Sequence, residues 1–335
     1  MGVHTQEINN GHMNITDLKV YSVTDGARTR KNTSSSGNSH PVWRKLPEWS
    51  DKFLAKLKDE VTIAKPLVGL DVSHFRFLLL GPIGSGKSSF INTVNAAISG
   101  RVTQRASCGT SHHSVTTTYT PYTYRNCSGS SLHLKLCDTP GLEPTQGIDV
   151  TDCRFLLNGH VPEFYTFNPS VHFGLDSHEF RVKSTADAKV HCAVFVIDAS
   201  TVDHMSEKLV DTMTSFKKIM FEKGVPQAVL LTKIDTVSDT VDEDVSRVFN
   251  CADIEQKVKK ASEVLGLPRN SVFPVKNYEH EIDGDRNVDI LALVALRQLL
   301  YFAMDYLENQ KMQQNKTGDS VRLQCGLWCV PAKKR

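Results

Sequence analysis

Phe77-Leu-Leu-Leu-Gly81-Pro-Ile-Gly84-Ser85-Gly86-Lys87-Ser88-Ser89 is an apolar run that stops at a glycine and enters a Gly-x4-Gly-Lys-Ser spacing. Beyond it, Phe90, Ile91, Val94 and Ala97 recur with a helical period, so the stretch reads as strand, tight loop, helix. This is the pattern of a phosphate-cradling P-loop. Gly81 and Gly86 permit the turn, and the backbone around Ile83, Gly84, Ser85 and Ser89 aims N–H groups inward at phosphate oxygens. Lys87 is expected to reach the outer phosphates, and the Ser88 hydroxyl to ligate Mg2+. The helix that follows directs its positive end at the same anion.

A phosphate cradle does not choose its base, so the downstream order decides. Leu132 to Cys137 run apolar and end in Asp138-Thr139-Pro140-Gly141. An Asp at the carboxyl end of a strand beside the P-loop strand can hold Mg2+ through water, while the Gly141 N–H can sense a terminal phosphate. Ala228 to Leu231 stop at Thr232-Lys233-Ile234-Asp235. There Asp235 would accept two hydrogen bonds that guanine supplies and adenine does not, a discrimination of several kcal/mol. The stem of Lys233 would cover the base. Val272-Phe-Pro-Val275-Lys276-Asn277 falls where a last strand should deliver a base-contacting loop, which makes Lys276 and Asn277 further candidates. The expected ligands are therefore GTP or GDP with Mg2+.

The threonine that completes the metal shell must lie between Gly100 and Ser131, where Thr116, Thr117 and Thr118 are neighbours. Thr116 is favoured because its Ser-Val-Thr and Thr-x4-Pro-Tyr contexts look like those of other immune-type G domains. Beyond these motifs, Leu80-Gly-Pro-Ile-Gly-Ser-Gly-Lys-Ser-Ser-Phe90, Leu156-Leu-Asn-Gly159, Phe167-Asn-Pro169, Val190 to Ser200, Asn277-Tyr278 and Asp289 to Arg297 resemble the interferon-induced protein 44 and 44-like family. The resemblance spans roughly residues 75 to 308. It implies interferon-linked expression, a cytoplasmic location, guanine-nucleotide binding and a role in antiviral or antiproliferative responses. Two departures are expected to matter. The N-terminal TLDc-type domain of longer members has no room ahead of this P-loop, and Thr-Lys-Ile-Asp is more complete than in some relatives.

A chain of 335 residues with 40% hydrophobic content and a net charge of +2 can bury one large core and offers no basic surface for nucleic acid. The eight cysteines are scattered and Cys137 and Cys192 lie inside apolar strands, as in a reduced protein, so the sequons at Asn14, Asn32, Asn126 and Asn315 are expected to be unused. Cys325 and Cys329 lack a second metal-type pair. Alternation of strands and helices predicts an α/β fold, a P-loop NTPase G domain with a mostly parallel sheet covered on both faces. The expected divisions are a disordered tail over 1–40, a docking helix within 41–70 built on Trp49, Phe53 and Leu57, a G domain over 71–310, and a C-terminal tail over 311–335. An insertion of about 142–188 follows the second switch, with His172 and His178 as surface residues. Ile290 to Leu307 is interrupted by Arg297, Gln298 and Asp305, so no transmembrane segment is expected.

Catalysis is expected to be slow. Leu142 stands where small G proteins carry a water-orienting Gln, and Ile83 would crowd an incoming Arg; Arg101 and Arg105 are candidate internal fingers that read more simply as loop arginines. With Lys87, Thr116 and Gly141 as the catalytic candidates, a slow GTPase switch with an unidentified protein partner or a nucleotide-dependent homodimer is one reading. A nucleotide-stabilised interaction protein is the second, and a dynamin-like enzyme is the third, disfavoured because no stalk-length heptads are present.

Overall fold

The computed structural model describes residues 40–45, 48–108, 116–143, 147–168 and 171–326, with side chains described up to residue 315. The expectations for residues 1–39, for Cys325 and Cys329 as side chains, and for the Ser114-Val115 context lie outside the described residues. Helix α1 spans Asp51–Ile63, begun by Ser50, whose hydroxyl accepts from Phe53 N at 3.2 Å. Strand β1 (Phe75–Leu80) leads through the P-loop into α2 (Lys87–Ser99), and β2 (Thr120–Arg125), β3 (Ser131–Asp138) and α3 (Val150–Leu157) follow. Then come β4 (Cys192–Asp198), α4 (Glu207–Glu222), β5 (Gln227–Thr232), α5 (Asp239–Glu243), α6 (Ala252–Leu265), β6 (Val272–Pro274) and α7 (Arg286–Gly326).

The sheet order is β2-β3-β1-β4-β5-β6, with only the β2–β3 pair antiparallel. Alternation along each strand divides the core in two. Phe75, Phe77 and Leu79 of β1, with Val194 and Val196 of β4, face Leu57 and Val61 of α1, Phe90 and Val94 of α2 and Leu296 and Leu300 of α7. Leu78 and Leu80, with Phe195 and Ile197, face Leu156 of α3, Phe216 of α4 and Val258 of α6. Such strands are buried on both faces, which is why they read as unbroken apolar runs.

The helix after β1 lies on one face and the helix after β3 on the other. A crevice therefore opens beyond the carboxyl ends of these two neighbouring strands, and both the P-loop and Asp138 stand there. The docking helix meets α7 through the apolar stripe and through Arg297 Nη1, which donates to Glu60 Oε2 at 3.1 Å. Trp43 stacks obliquely on Phe249 at 5.0 Å, and Arg44 donates to the carbonyls of Val272 and Arg269, covering the β6 edge. Helix α7 continues past the expected boundary at residue 310. Its Arg286–Asn315 stretch is long and apolar enough by composition to cross a membrane, but 56% of that apolar window is buried in the fold, as in a core helix.

Candidate functional site

The P-loop closes because glycine stands where a side chain would collide. A Cβ on Gly81 would lie 2.1 Å from Val196 O, so only glycine lets β4 approach this closely. Gly84 and Gly86 hold φ of +71° and +89°, in the left-handed region that a glycine enters freely. Gly86 is also the N-cap of α2, and no side chain caps the helix. Its first N–H groups remain directed at the crevice, a ready anion site. Lys87 is only 7% exposed and donates from Nζ to Gly81 O at 2.9 Å and Pro82 O at 3.0 Å. Burial pulls its ammonium down to about 8, against the opposing pull of the Asp138 carboxylate.

Three oxygens from three separate segments meet beside it. Ser88 Oγ donates to Asp138 Oδ2 at 2.6 Å, and Thr116 Oγ1 lies 3.5 Å from both Ser88 Oγ and Asp138 Oδ2. Burial raises the Asp138 carboxyl, offset by bonds from Ser88, the Thr139 N–H and Thr116 and by the charge of Lys87. The chemistry fits a hard divalent cation, which takes hydroxyl and carboxylate oxygens. Thr139 Oγ1 donates to Leu79 O at 2.7 Å and Leu142 N to Gly81 O at 2.9 Å, so the Asp-Thr-Pro-Gly turn is stitched to the P-loop.

At the base end, Thr232 Oγ1 donates to Ser85 O at 2.6 Å and so joins the base loop to the cradle. Lys233 takes a positive φ of 54° and its ammonium pairs with Asp198 Oδ2 at 2.7 Å. Asp235 is partly buried and its carboxyl is raised by that burial, with Lys276 pulling the other way. Lys276 itself donates to Asp242 Oδ1 at 2.9 Å, so it stands behind the base loop as a support. Asn277 reaches Gly86 O from Nδ2 at 3.4 Å, while its Oδ1 and the Ser85 Oγ are buried without hydrogen-bond partners. Two orphaned acceptors beside one cradle are what a bound polar ligand would satisfy.

Several features change the expectations for hydrolysis. Leu142 is 3% exposed and packs in the core, bridged to Pro82. Ile83 leans on Gly141: a Cβ there would stand 2.3 Å from Ile83 Cγ1. Arg105 is engaged elsewhere, donating to Thr123 O at 2.6 Å and Asn95 Oδ1 at 3.1 Å, and it lies over the Tyr124 ring, which removes it as an internal finger. His172, expected as a plain surface residue, has Asp149 Oδ2 at 3.4 Å and Asp152 Oδ2 at 3.9 Å from its Nδ1. Both carboxylates already serve the reciprocal cap that starts α3, so this group has a structural reason to exist.

A family model described as a 50S ribosome-binding GTPase matches residues 76–233. Interferon-induced protein 44 of Pan troglodytes is 32% identical over 270 residues, 77% of this chain and 61% of its own length. Interferon-induced protein 44-like of Homo sapiens is 31% identical over 273 residues, 81% of this chain and 59% of its own length. The chain thus spans about three fifths of the curated relatives it matches. Among solved structures, a probable GTP-binding protein engB aligns at 12% identity over 69% of this chain and 98% of its own, with a TM-score of 0.39. Toc33 from Arabidopsis thaliana, solved with GDP and Mg2+, aligns at 15% identity over 77% of this chain and 90% of its own, at 0.37. Likenesses this distant add nothing to the fold already given by the strand order.

Proposed function

Since the chain belongs, over the region it shares with them, to the interferon-induced protein 44 and 44-like family, we propose that it binds GTP and GDP with Mg2+ and hydrolyses GTP slowly, as a nucleotide-controlled effector in the cytoplasmic interferon response. The observation that carries the nucleotide reading is the meeting of Ser88, Asp138 and Thr116 within 3.5 Å beside a buried lysine and an uncapped helix start. Mg2+ bound here would supply positive charge that stabilises the charge developing in phosphoryl transfer. Ser88 and Thr116 would hold it directly, and Asp138 through water. Lys87 would turn from the Gly81 and Pro82 carbonyls to the outer phosphates, and Asp235 would select guanine.

Slow turnover follows from what surrounds the terminal phosphate. A buried Leu142 neither donates nor accepts a hydrogen bond, Ile83 fills the space over Gly141, and Arg105 is committed to β2 and α2. Losing the arginine contribution alone lowers turnover by roughly 10^3 or more. The same observations favour a second reading, in which nucleotide is a structural ligand of an interaction protein. Single-turnover phosphate release separates the two. Release above the uncatalysed rate that vanishes in Lys87→Ala supports the enzyme, and no Lys87-dependent release leaves the interaction protein. The response itself is tested by transcript level after interferon treatment, where no induction would remove that part.

A further inference from the structure

Among the described residues, the segment after the second switch does more than fill space. Tyr119 N donates to Tyr165 O at 2.8 Å, Phe164 N to Tyr119 O at 2.8 Å and Phe167 N to Thr117 O at 3.0 Å. Thr118 and Thr166 face each other in an antiparallel bridge, their hydroxyls 3.0 Å apart. Residues 164–167 are therefore laid as an extra strand along residues 117–119, the stretch that leaves Thr116.

The ladder is anchored at both ends. Tyr119 is buried and its hydroxyl accepts from Arg76 Nη1 at 3.2 Å. Arg76, 3% exposed on β1, donates from Nη2 to Glu163 Oε1 at 2.7 Å and from Nε to Asp187 O at 3.2 Å, and Lys135 of β3 donates to the same Glu163 oxygen at 2.9 Å. A guanidinium buried this deeply is costly without its carboxylate, so Glu163 is held in place. Tyr165 packs on Phe167 at 5.1 Å and on Phe173 at 4.8 Å, which fixes the other face of the strand. Phe164, at the start of the ladder, keeps φ at +66° although it is 64% exposed. An exposed aromatic residue stays in that region only when its neighbours over-determine its backbone.

We infer that residues 164–167 are a built-in clamp that holds the Thr117–Tyr119 stretch, and through it Thr116, against Ser88 and Asp138 before nucleotide arrives, with Glu163, Tyr119 and Arg76 as positioning residues. The part that concerns the metal rests on the nucleotide reading above. A switch threonine that is already placed spares the ligand the ordering of that segment, so Mg2+ tightens nucleotide binding through a preset oxygen. The same ladder makes residues 164–167 the part of the surface that responds when Thr116 moves.

The test uses the full chain, with labelled GDP as probe and two variants. Phe167→Pro removes one ladder donor, and Glu163→Gln keeps the shape but drops the anchor charge. In the nucleotide-free protein, amide exchange at Tyr119, Phe164 and Phe167 should be protected, and at Tyr119 it should speed up about fivefold to tenfold in either variant, the worth of one net hydrogen bond. GDP release in Mg2+ should then speed up about as much, release in EDTA should not change, and neither variant should add to Thr116→Ala, because coupled residues are not additive. Unprotected amides in the wild type, or variants whose effect in Mg2+ is undiminished in the Thr116→Ala background, overturn the clamp. If labelled GDP fails to bind at all, the nucleotide reading falls, and the exchange arm alone still decides whether the clamp exists.

Discussion

Raising the pH from 7 to 9 should weaken GTP binding about tenfold through Lys87 alone. The ammonium is 7% exposed and bonded only to the neutral carbonyls of Gly81 and Pro82, and burial brings its pKa from 10.5 to about 8. A polyphosphate beside it restores the charged form, so the complex holds its proton throughout this range. In the free protein, charge is lost above pH 8, with roughly one molecule in ten charged at pH 9. Binding at pH 9 must then take up nearly one proton and costs about 1 kcal/mol more than at pH 7. The folding sign is opposite to that of an ordinary paired lysine. A depressed pKa contributes stability that is complete above 10.5 and lost as pH falls through 8, so the free protein gains up to about 3 kcal/mol over that window relative to Lys87→Met. Calorimetry of GTP binding in buffers of differing ionisation enthalpy counts the proton directly. Ionisation of the guanine ring at the upper end adds uptake of the same sign, because Asp235 takes the protonated ring, so the Lys87 share is the uptake that disappears in Lys87→Met. An affinity that stays flat from pH 7 to 9, with no proton uptake, would refute the burial argument for Lys87.

Asp138→Asn should leave nucleotide release insensitive to EDTA, because Ser88 and Thr116 then face an amide where the carboxylate stood; a surviving EDTA effect would exclude Asp138 from the metal shell. Asp235→Ala should erase the preference for GTP over ATP in thermal shift, since the lost discrimination is several kcal/mol; an unchanged preference would move base selection elsewhere. Leu142→Gln should fail to speed hydrolysis and instead destabilise the fold by ~1–3 kcal/mol, because the residue is buried and its new amide finds no water. Faster single-turnover release in that variant would mean the side chain can reach the phosphate.

The strands that carry the nucleotide motifs were legible because they are buried on both faces, which turns Phe75–Leu80, Cys192–Asp198 and Gln227–Thr232 into apolar runs with sharp ends. The P-loop and the Thr232–Asp235 loop sit at two of those ends, and the Asp138 turn ends β3, whose apolar residues Leu132, Leu134 and Leu136 alternate, so their positions followed from local sequence. The ladder between residues 117–119 and 164–167 was not legible. Its partners are far apart in the chain, its bonds are backbone bonds, and its residues alternate no apolar pattern. The role of Arg105 was hidden in the same way, since a loop arginine in sequence becomes a strut, its Nη1 shared between Thr123 O and Asn95 Oδ1, only once β2 lies beside α2. His172 lacked a partner by spacing because its two aspartates come from the start of α3, some twenty residues earlier.

How far nucleotide can move this protein depends on how much of the site is already formed. A ligand shifts a conformational equilibrium only by its difference in affinity for the two states, and a shift from 1:99 to 99:1 requires about 5.5 kcal/mol of difference. Here Thr116 already stands at its metal partners, Gly141 is wedged against Ile83 and Leu142 is tied to Gly81. At Thr116 itself little ordering is then left for the terminal phosphate to drive. Differential affinity between GTP and GDP would then come from undoing contacts, among them the three ladder bonds to the insertion, which begin one residue beyond Thr116. Their net worth, at about 0.5–1.5 kcal/mol each, is about 1.5–4.5 kcal/mol together, short of the full 5.5 kcal/mol but enough to move the equilibrium by roughly tenfold to a thousandfold. Under the proposed function, release of the clamp in one nucleotide state would be the signal, and a clamp that stays closed would leave the nucleotide-stabilised scaffold.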